Sequence, residues 1–433
     1  MTVQAEPTID ADTRAKWRLT KTQIVVLLLV AGTYLVSYMN RQIFPLLLPD
    51  ISVELKLSDT QIGSLTGIAY PALNAVACVA VVLLSHRIAS STLVKFALVL
   101  LVMMPLLTGF SHGFWPLFAA LLGIGLAEAT SSAPALSLLA ARFEGSQRVF
   151  ANSGYTIGLI GGMVVAYYVI GNIAAEFGWR SGFFAAACCS LIVGICVYLF
   201  LPRQKKQFEP STVMPKKELA AMFRIRSFRW LLAGAGLMVV LSDSAFQWLP
   251  LFLTRSLGME DSEITLLMGT NYITLGLLGI IVGGAIAIRM RRGSTRRMQL
   301  FSTTVGLLTL IGYVVMLAST GTLVSKIGVS AIILLGMAAY GSILSFVQDV
   351  TPKRLHTAAV ATMFLIMTTG QGIGAFLIGL VSDSLAPALG VESLRAAMLI
   401  VVGTCGVLGL LCYLMAARHG NADAIAAGAQ DEA

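Results

Sequence analysis

Three ionisable side chains stand inside long apolar runs of this sequence: Arg41 in TYLVSYMNRQIFPLLLPDI, Glu128 in GIGLAEATSSAPA and Asp243 in VVLSDSAFQWLP. Their chemistry differs. A guanidinium is a permanently charged planar fork that matches a carboxylate or phosphate. A carboxylate screened from water can take up and release a proton. Tyr34 and Tyr38 precede Arg41 by seven and three residues, so a helix puts two phenols on its face. That face suits an anion with an apolar or aromatic body. Phe246 and Gln247 follow Asp243 by three and four residues, and so share its helical face, as Ser131 and Ser132 share that of Glu128. Anion capture is expected of Arg41, Tyr34, Tyr38, Phe246 and Gln247, and proton coupling of Glu128 and Asp243.

Each residue also has a plainer reading. Arg41 could snorkel to the headgroups, although the following QIFPLLL would bury a headgroup-level arginine too early. Glu128 could serve only as a buried partner of Arg41. Asp243 could face water in an outer vestibule. Tyr70, Asn74, Tyr155, Asn271, Tyr272, Tyr340 and Gln371 form a second tier, each more simply a packing residue or an interhelical hydrogen bond.

The elements that would position these groups follow from composition. Hydrophobic residues make up 57% of the chain and charged residues only 12%, about half the charge of a soluble protein. Apolar runs of about 20 residues match the hydrocarbon thickness, and in lipid such runs must be helical. Spans are expected near 24–48, 61–84, 92–110, 114–139, 149–170, 181–201, 230–253, 264–288, 298–318, 329–349, 358–380 and 396–417. The chain is thus an all-α membrane protein. Charge at the bilayer centre costs about 2.5–3.5 kcal/mol on insertion scales, so Arg41, Glu128 and Asp243 are expected to face a wet cavity.

Orientation follows from Lys and Arg. Of the 30 in the chain, the outer loops would hold Lys56, Arg180, Arg255, Lys326 and Arg395, and Arg41 lies within a span. The other 24 fall on the side of the two termini, which the positive-inside rule assigns to the cytoplasm. This bias also accounts for the net charge of +9, so no nucleic-acid partner is expected. The six cysteines fall inside spans, and no metal spacing, nucleophile or cofactor loop is present. No enzyme activity and no cofactor are expected.

The chain divides into residues 1–201, a six-helix bundle with a short cytoplasmic tail; 202–229, a basic cytoplasmic linker; and 230–433, a second bundle with a short tail. The halves echo each other. ARFEGSQR and TPKRLHT end the fourth helix of each, and GYTIGLIGG and TTGQGIGAFLIG mark each fifth. Internal symmetry of this kind belongs to secondary transporters, with the site between the halves near mid-membrane.

The whole chain resembles the major facilitator superfamily, and within it the bacterial spinster-like branch. YMNRQIFPLLLPDI, LSDTQIG, GIGLAEA, FGWR, WLPLFLTRSLGM, TPKRLHTAAVATMFL and DSLAPALGVESLRAA carry the likeness. The resemblance implies twelve transmembrane helices in two pseudo-symmetric six-helix bundles. It also implies that helices one, four, seven and ten line the cavity, and the first three hold Arg41, Glu128 and Asp243. Two departures stand out. The family's Asp-Arg pair in helix one is here Asn40-Arg41, which adds Asn40 to the candidate binding residues. The gating loops VLLSHRIASS and AIRMRRGSTRR lack the acid that the family carries there.

The resulting expectation is a secondary transporter in the bacterial inner membrane, multi-pass and monomeric. It would move a small aromatic or amphipathic organic anion, coupled to protons. Alternatives are a lysolipid, sphingoid-type or drug-like exporter and a non-transporting membrane sensor or assembly partner.

Overall fold

The structure is a computed structural model and describes residues 19–84, 88–143, 145–202, 222–291 and 294–432. Among these residues the helices group into twelve runs. In the first half α1 is Lys21–Glu54, α2 spans 59–84, α3 is Ser90–Gly109, α4 is Phe114–Ala140, α5 spans 145–177 and α6 is Trp179–Phe200. In the second, α7 spans 226–257, α8 261–291, α9 is Thr295–Ala318, α10 Thr322–Asp349, α11 His356–Leu389 and α12 Ser393–Glu432. Ten stretches are long and apolar enough to cross a membrane. One of them, Ala358–Gly428, runs through both α11 and α12, and α2 is not among the ten. Large apolar side chains such as Val99, Ile195, Ile281 and Leu408 stand exposed on the periphery, as lipid contact requires.

The packing repeats with an offset of six helices. In the first half α1 packs on α5 and α6, α3 on α4 and α6, and α2 on α4. In the second α7 packs on α11 and α12, α9 on α10 and α12, and α8 on α10. The fold is thus the expected pair of six-helix bundles. The linker falls mostly on 203–221, outside the described residues, as does Arg87 of the first gating loop. The last span, expected at 396–417, continues as helix to Glu432. It does so because its polar end has partners: Asp423 accepts from the backbone N–H of Ser227, and Asn421 from Ser294 and the N–H of Arg296.

The halves meet chiefly at the end remote from the termini, where α2 packs on α11, α5 on α8 and α1 on α7. Gly67 of α2 and Gly372 of α11 let two backbones touch, since a Cβ on either would collide with the other's carbonyl oxygen. Arg255, in the last turn of α7, donates to both carboxylate oxygens of buried Asp59, at 2.8 Å each. The Ser382 hydroxyl of α11 also donates to Asp59. Asp383 accepts from the backbone N–H groups of Asp59 and Thr60, at 3.0 and 2.8 Å, capping the start of α2. This end is sealed.

Four helices change winding on the way through. Leu65–Ala69 in α2, Val165–Ile170 in α5, Val240–Ser244 in α7 and Tyr272–Gly276 in α8 are π-helical. Such bulges add a residue to the turn and re-aim the side chains around them. The α7 bulge carries Asp243.

Candidate functional site

A cavity of about 770 Å³ lies between the halves. It runs from Arg41 towards the end that carries both termini, past Thr156 of α5, Ser302 of α9 and Ile343 of α10. Its walls are mainly apolar, with Leu121, Ile124, Met238, Val305 and Ile332 among them.

Arg41 sits at the closed end of this space. Pro45, four residues on, has no N–H to give the Arg41 carbonyl, so the helix is weakened at this point. Pro250 stands in the same relation to Phe246 in α7. The Arg41 guanidinium reaches Glu128 of α4, Nη1 to Oε1 at 3.5 Å, and donates through Nη2 to Gln371 Oε1 of α11 at 3.4 Å. Its carbon lies 5.7 Å from the ring centre of Tyr38 and 5.6 Å from that of Tyr70, within cation–π range. Charge-assisted hydrogen bonds between such groups normally close to about 2.7–2.9 Å. Arg41 is therefore held in place by several long contacts rather than by one short one.

The other candidates gather around it unevenly. Glu128 presents Oε1 to Arg41, while its Oε2 is buried with no hydrogen-bond partner. Asp243 borders the cavity from α7, interacts electrostatically with Arg41 and accepts from the Ser242 hydroxyl at 3.0 Å. Tyr34 stacks on Tyr155 of α5 at 4.3 Å and meets Tyr38 edge-on. Phe246 lines the cavity and packs edge-on against Tyr272 of α8 at 5.3 Å. Gln247 borders the cavity, half-buried. Asn40 is different: its amide nitrogen donates to Val36 O at 2.8 Å and to Ser190 Oγ of α6 at 3.0 Å. It ties α1 to α6 while also bordering the cavity.

From the second tier, Gln371 and Tyr70 touch Arg41, whereas Asn74 donates to Gly125 O and Asn271 to Ser330 Oγ, as packing residues do. Gln371 is anchored from behind, its backbone oxygen accepting from the Ser244 hydroxyl at 2.7 Å. The Tyr340 side chain lies outside the described residues. Sequence reasoning missed the Asp59–Arg255 tie altogether. Both residues sit at span ends, where a charge is ordinary, and 196 positions separate them.

The Major Facilitator Superfamily profile matches residues 30–379. An MFS-type efflux pump of Mycolicibacterium smegmatis is 26% identical over 406 residues, covering 93% of this chain and 94% of that protein. A hexuronate transporter of Bacillus subtilis is 24% identical, covering 84% and 88%. The crystal structure of a bacterial homolog of the human lysosomal transporter Spinster, inward-facing and unoccupied, superposes with a TM-score of 0.80 at 17% identity. It covers 94% of this chain and 99% of that one.

Proposed function

The chain belongs to the Major Facilitator Superfamily of membrane transporters, and from that premise we propose that it carries a small organic anion together with protons. The anion's charged group docks on the Arg41 fork, and its aromatic or apolar body lies among Tyr38, Phe246 and the apolar cavity wall. Glu128 and Asp243 are the proton carriers. An anion arriving at Arg41 displaces Glu128, which then takes a proton from the aqueous cavity. With both termini on the cytoplasmic side of a bacterial inner membrane, the sealed end faces outward and the structure is the inward-open state. Substrate exchange at that state is with the cytoplasm.

One observation carries the reading. A permanent cation faces a mainly apolar cavity, and its hydrogen-bonding partners stand at 3.5 and 3.4 Å, both long enough to yield. The hexuronate transporter among its relatives supports an anionic cargo. The apolar reach of the cavity past Met238, Val305 and Ile332 favours an amphipathic anion over a small hydrophilic one and leaves a lysolipid-like cargo as the second reading.

The test uses purified protein in liposomes holding a pH-sensitive dye, with protein-free liposomes to subtract passive permeation. Aromatic acids, aliphatic acids and lysolipids are added in turn at zero membrane potential. One anion class should acidify the lumen with the wild type, and Arg41→Ala should lose at least about 30-fold in affinity, the lower end of the about 2–5 kcal/mol seen when one partner of a buried charge pair is truncated. Equal transport by Arg41→Ala would overturn the assignment.

A further inference from the structure

Resting on that reading, we propose that one proton accompanies each monovalent anion, and that Glu128 and Asp243 are interchangeable as its carrier. The argument is a charge count. Among the described residues lining the cavity, Arg41 and Asp243 are the charged ones, and Glu128 stands directly behind Arg41. The other polar groups lining the cavity, among them the phenols of Tyr34, Tyr38, Tyr70 and Tyr272, the amides of Asn40, Gln42, Gln247 and Gln371 and the Ser242 hydroxyl that donates to Asp243, are all neutral. One cation thus stands against two carboxylates, one contributed by each half of the molecule.

Charge left uncompensated in a site flanked by lipid is costly, and the state in which the halves rock past each other is where the site is most shielded. The empty site is neutral when one of the two acids is protonated. An added monovalent anion restores the imbalance, and neutrality returns only when the second acid also takes a proton. The empty carrier therefore holds one proton and the loaded carrier two, and the difference of one is what crosses with the anion. The step balances: a hydronium in the aqueous cavity gives its proton to a carboxylate oxygen, leaving water and a neutral carboxyl group. Glu128 Oε2, buried and without a hydrogen-bond partner, is an oxygen on which that proton displaces no existing donor.

The count has a second consequence. Two acids sharing one arginine titrate as a pair, so the proton belongs to the cluster and not to either residue. With Glu128→Gln the site has one cation and one acid. It is neutral when empty and neutral when loaded with an anion plus one proton on Asp243. Asp243→Asn gives the same count through Glu128. Removing both leaves a bare cation, which an anion alone neutralises.

The experiment is calorimetric titration of the purified full-length protein with 1-naphthoate at about pH 7, where the probe stays ionised. Repeating it in buffers of different ionisation enthalpy gives the number of protons taken up on binding. Wild type, Glu128→Gln and Asp243→Asn should each take up about one proton per anion, and the double variant none while still binding. An uptake of none or two in the wild type overturns the proposal. So does loss of uptake in either single variant, which would make that acid the sole carrier. Should the double variant fail to fold, the two single variants decide the matter. No binding of naphthoate by the wild type, or equal binding by Arg41→Gln, instead brings down the anion site on which the count rests.

Discussion

Arg255 and Arg41 both reach from one half of the molecule to the other, Arg255 to Asp59 and Arg41 to Gln371. Arg255 lies 2.8 Å from each oxygen of Asp59, a residue only 5% exposed whose carboxylate also accepts from the Ser382 hydroxyl. Arg41 keeps its partners at 3.5 and 3.4 Å beside a cavity of about 770 Å³. The same side chain makes a short bidentate pair in one place and two long, divergent contacts in the other. A short bidentate pair buried against a third donor has little to gain from a ligand. A guanidinium with long contacts and room beside it gains whenever an anion brings oxygens closer. The first arrangement fits a tie that holds one end shut, and the second a receptor.

The comparison breaks most visibly at the tie. Arg255→Ala leaves the buried Asp59 carboxylate without its cation, and removing one partner of a buried pair costs about 3–5 kcal/mol. Arg255 is 26% exposed, so the lower end applies. The cost falls on the sealed arrangement, because Asp59 can regain water only when α2 and α11 part. Backbone amide exchange over 58–66 and 375–389 should quicken by about a hundredfold or more, while naphthoate still binds at Arg41. Unchanged exchange would mean that the glycine contact of Gly67 with Gly372 holds this end by itself.

A gentler change sharpens the contrast. Arg41→Lys keeps the charge and loses the fork. It should weaken naphthoate binding about tenfold, the value of one charge-assisted hydrogen bond at the low end of about 1.5–3 kcal/mol. Amide exchange at the sealed end should not change, because Arg41 takes no part in that tie. If lysine binds as tightly as arginine, the anion senses charge alone and the fork geometry is irrelevant.

The two arginines also differ in how far the sequence exposes them. Arg41, Glu128 and Asp243 are conspicuous because each interrupts an apolar run, and hydropathy alone singles out such interruptions. The twelve-helix fold is legible for the same reason, together with the bias of Lys and Arg towards one side. Arg255 and Asp59 carry no such contrast, since a charge at a helix end explains itself. Their pairing depends on how α2, α7 and α11 converge, which local pattern does not encode. The neighbour of Arg41, Asn40, borders the same cavity but gives its amide nitrogen to a neighbouring helix. Adjacency in sequence rotates a side chain by about 100° on a helix of 3.6 residues per turn, and that rotation carries Asn40 to Ser190. The π segment under Asp243 leaves no compositional trace, yet it decides which way that carboxylate faces.

Gln371 offers the smallest and most discriminating effect. Its side-chain oxygen occupies one N–H of Arg41 at 3.4 Å, so an incoming anion must either displace it or bind around it. If the anion displaces it, Gln371→Leu removes a competitor, and naphthoate should bind about twofold more tightly, in line with the low end of about 0.5–1.5 kcal/mol for a hydrogen bond. If instead binding weakens, the amide of Gln371 also contacts the anion. The anion would then bridge α1 and α11 at the Arg41 position, much as Asp59 and Arg255 bridge the halves at the sealed end. In that case the contrast between the two arginines would describe only the empty protein, and ligand binding would convert the loose site into a second tie.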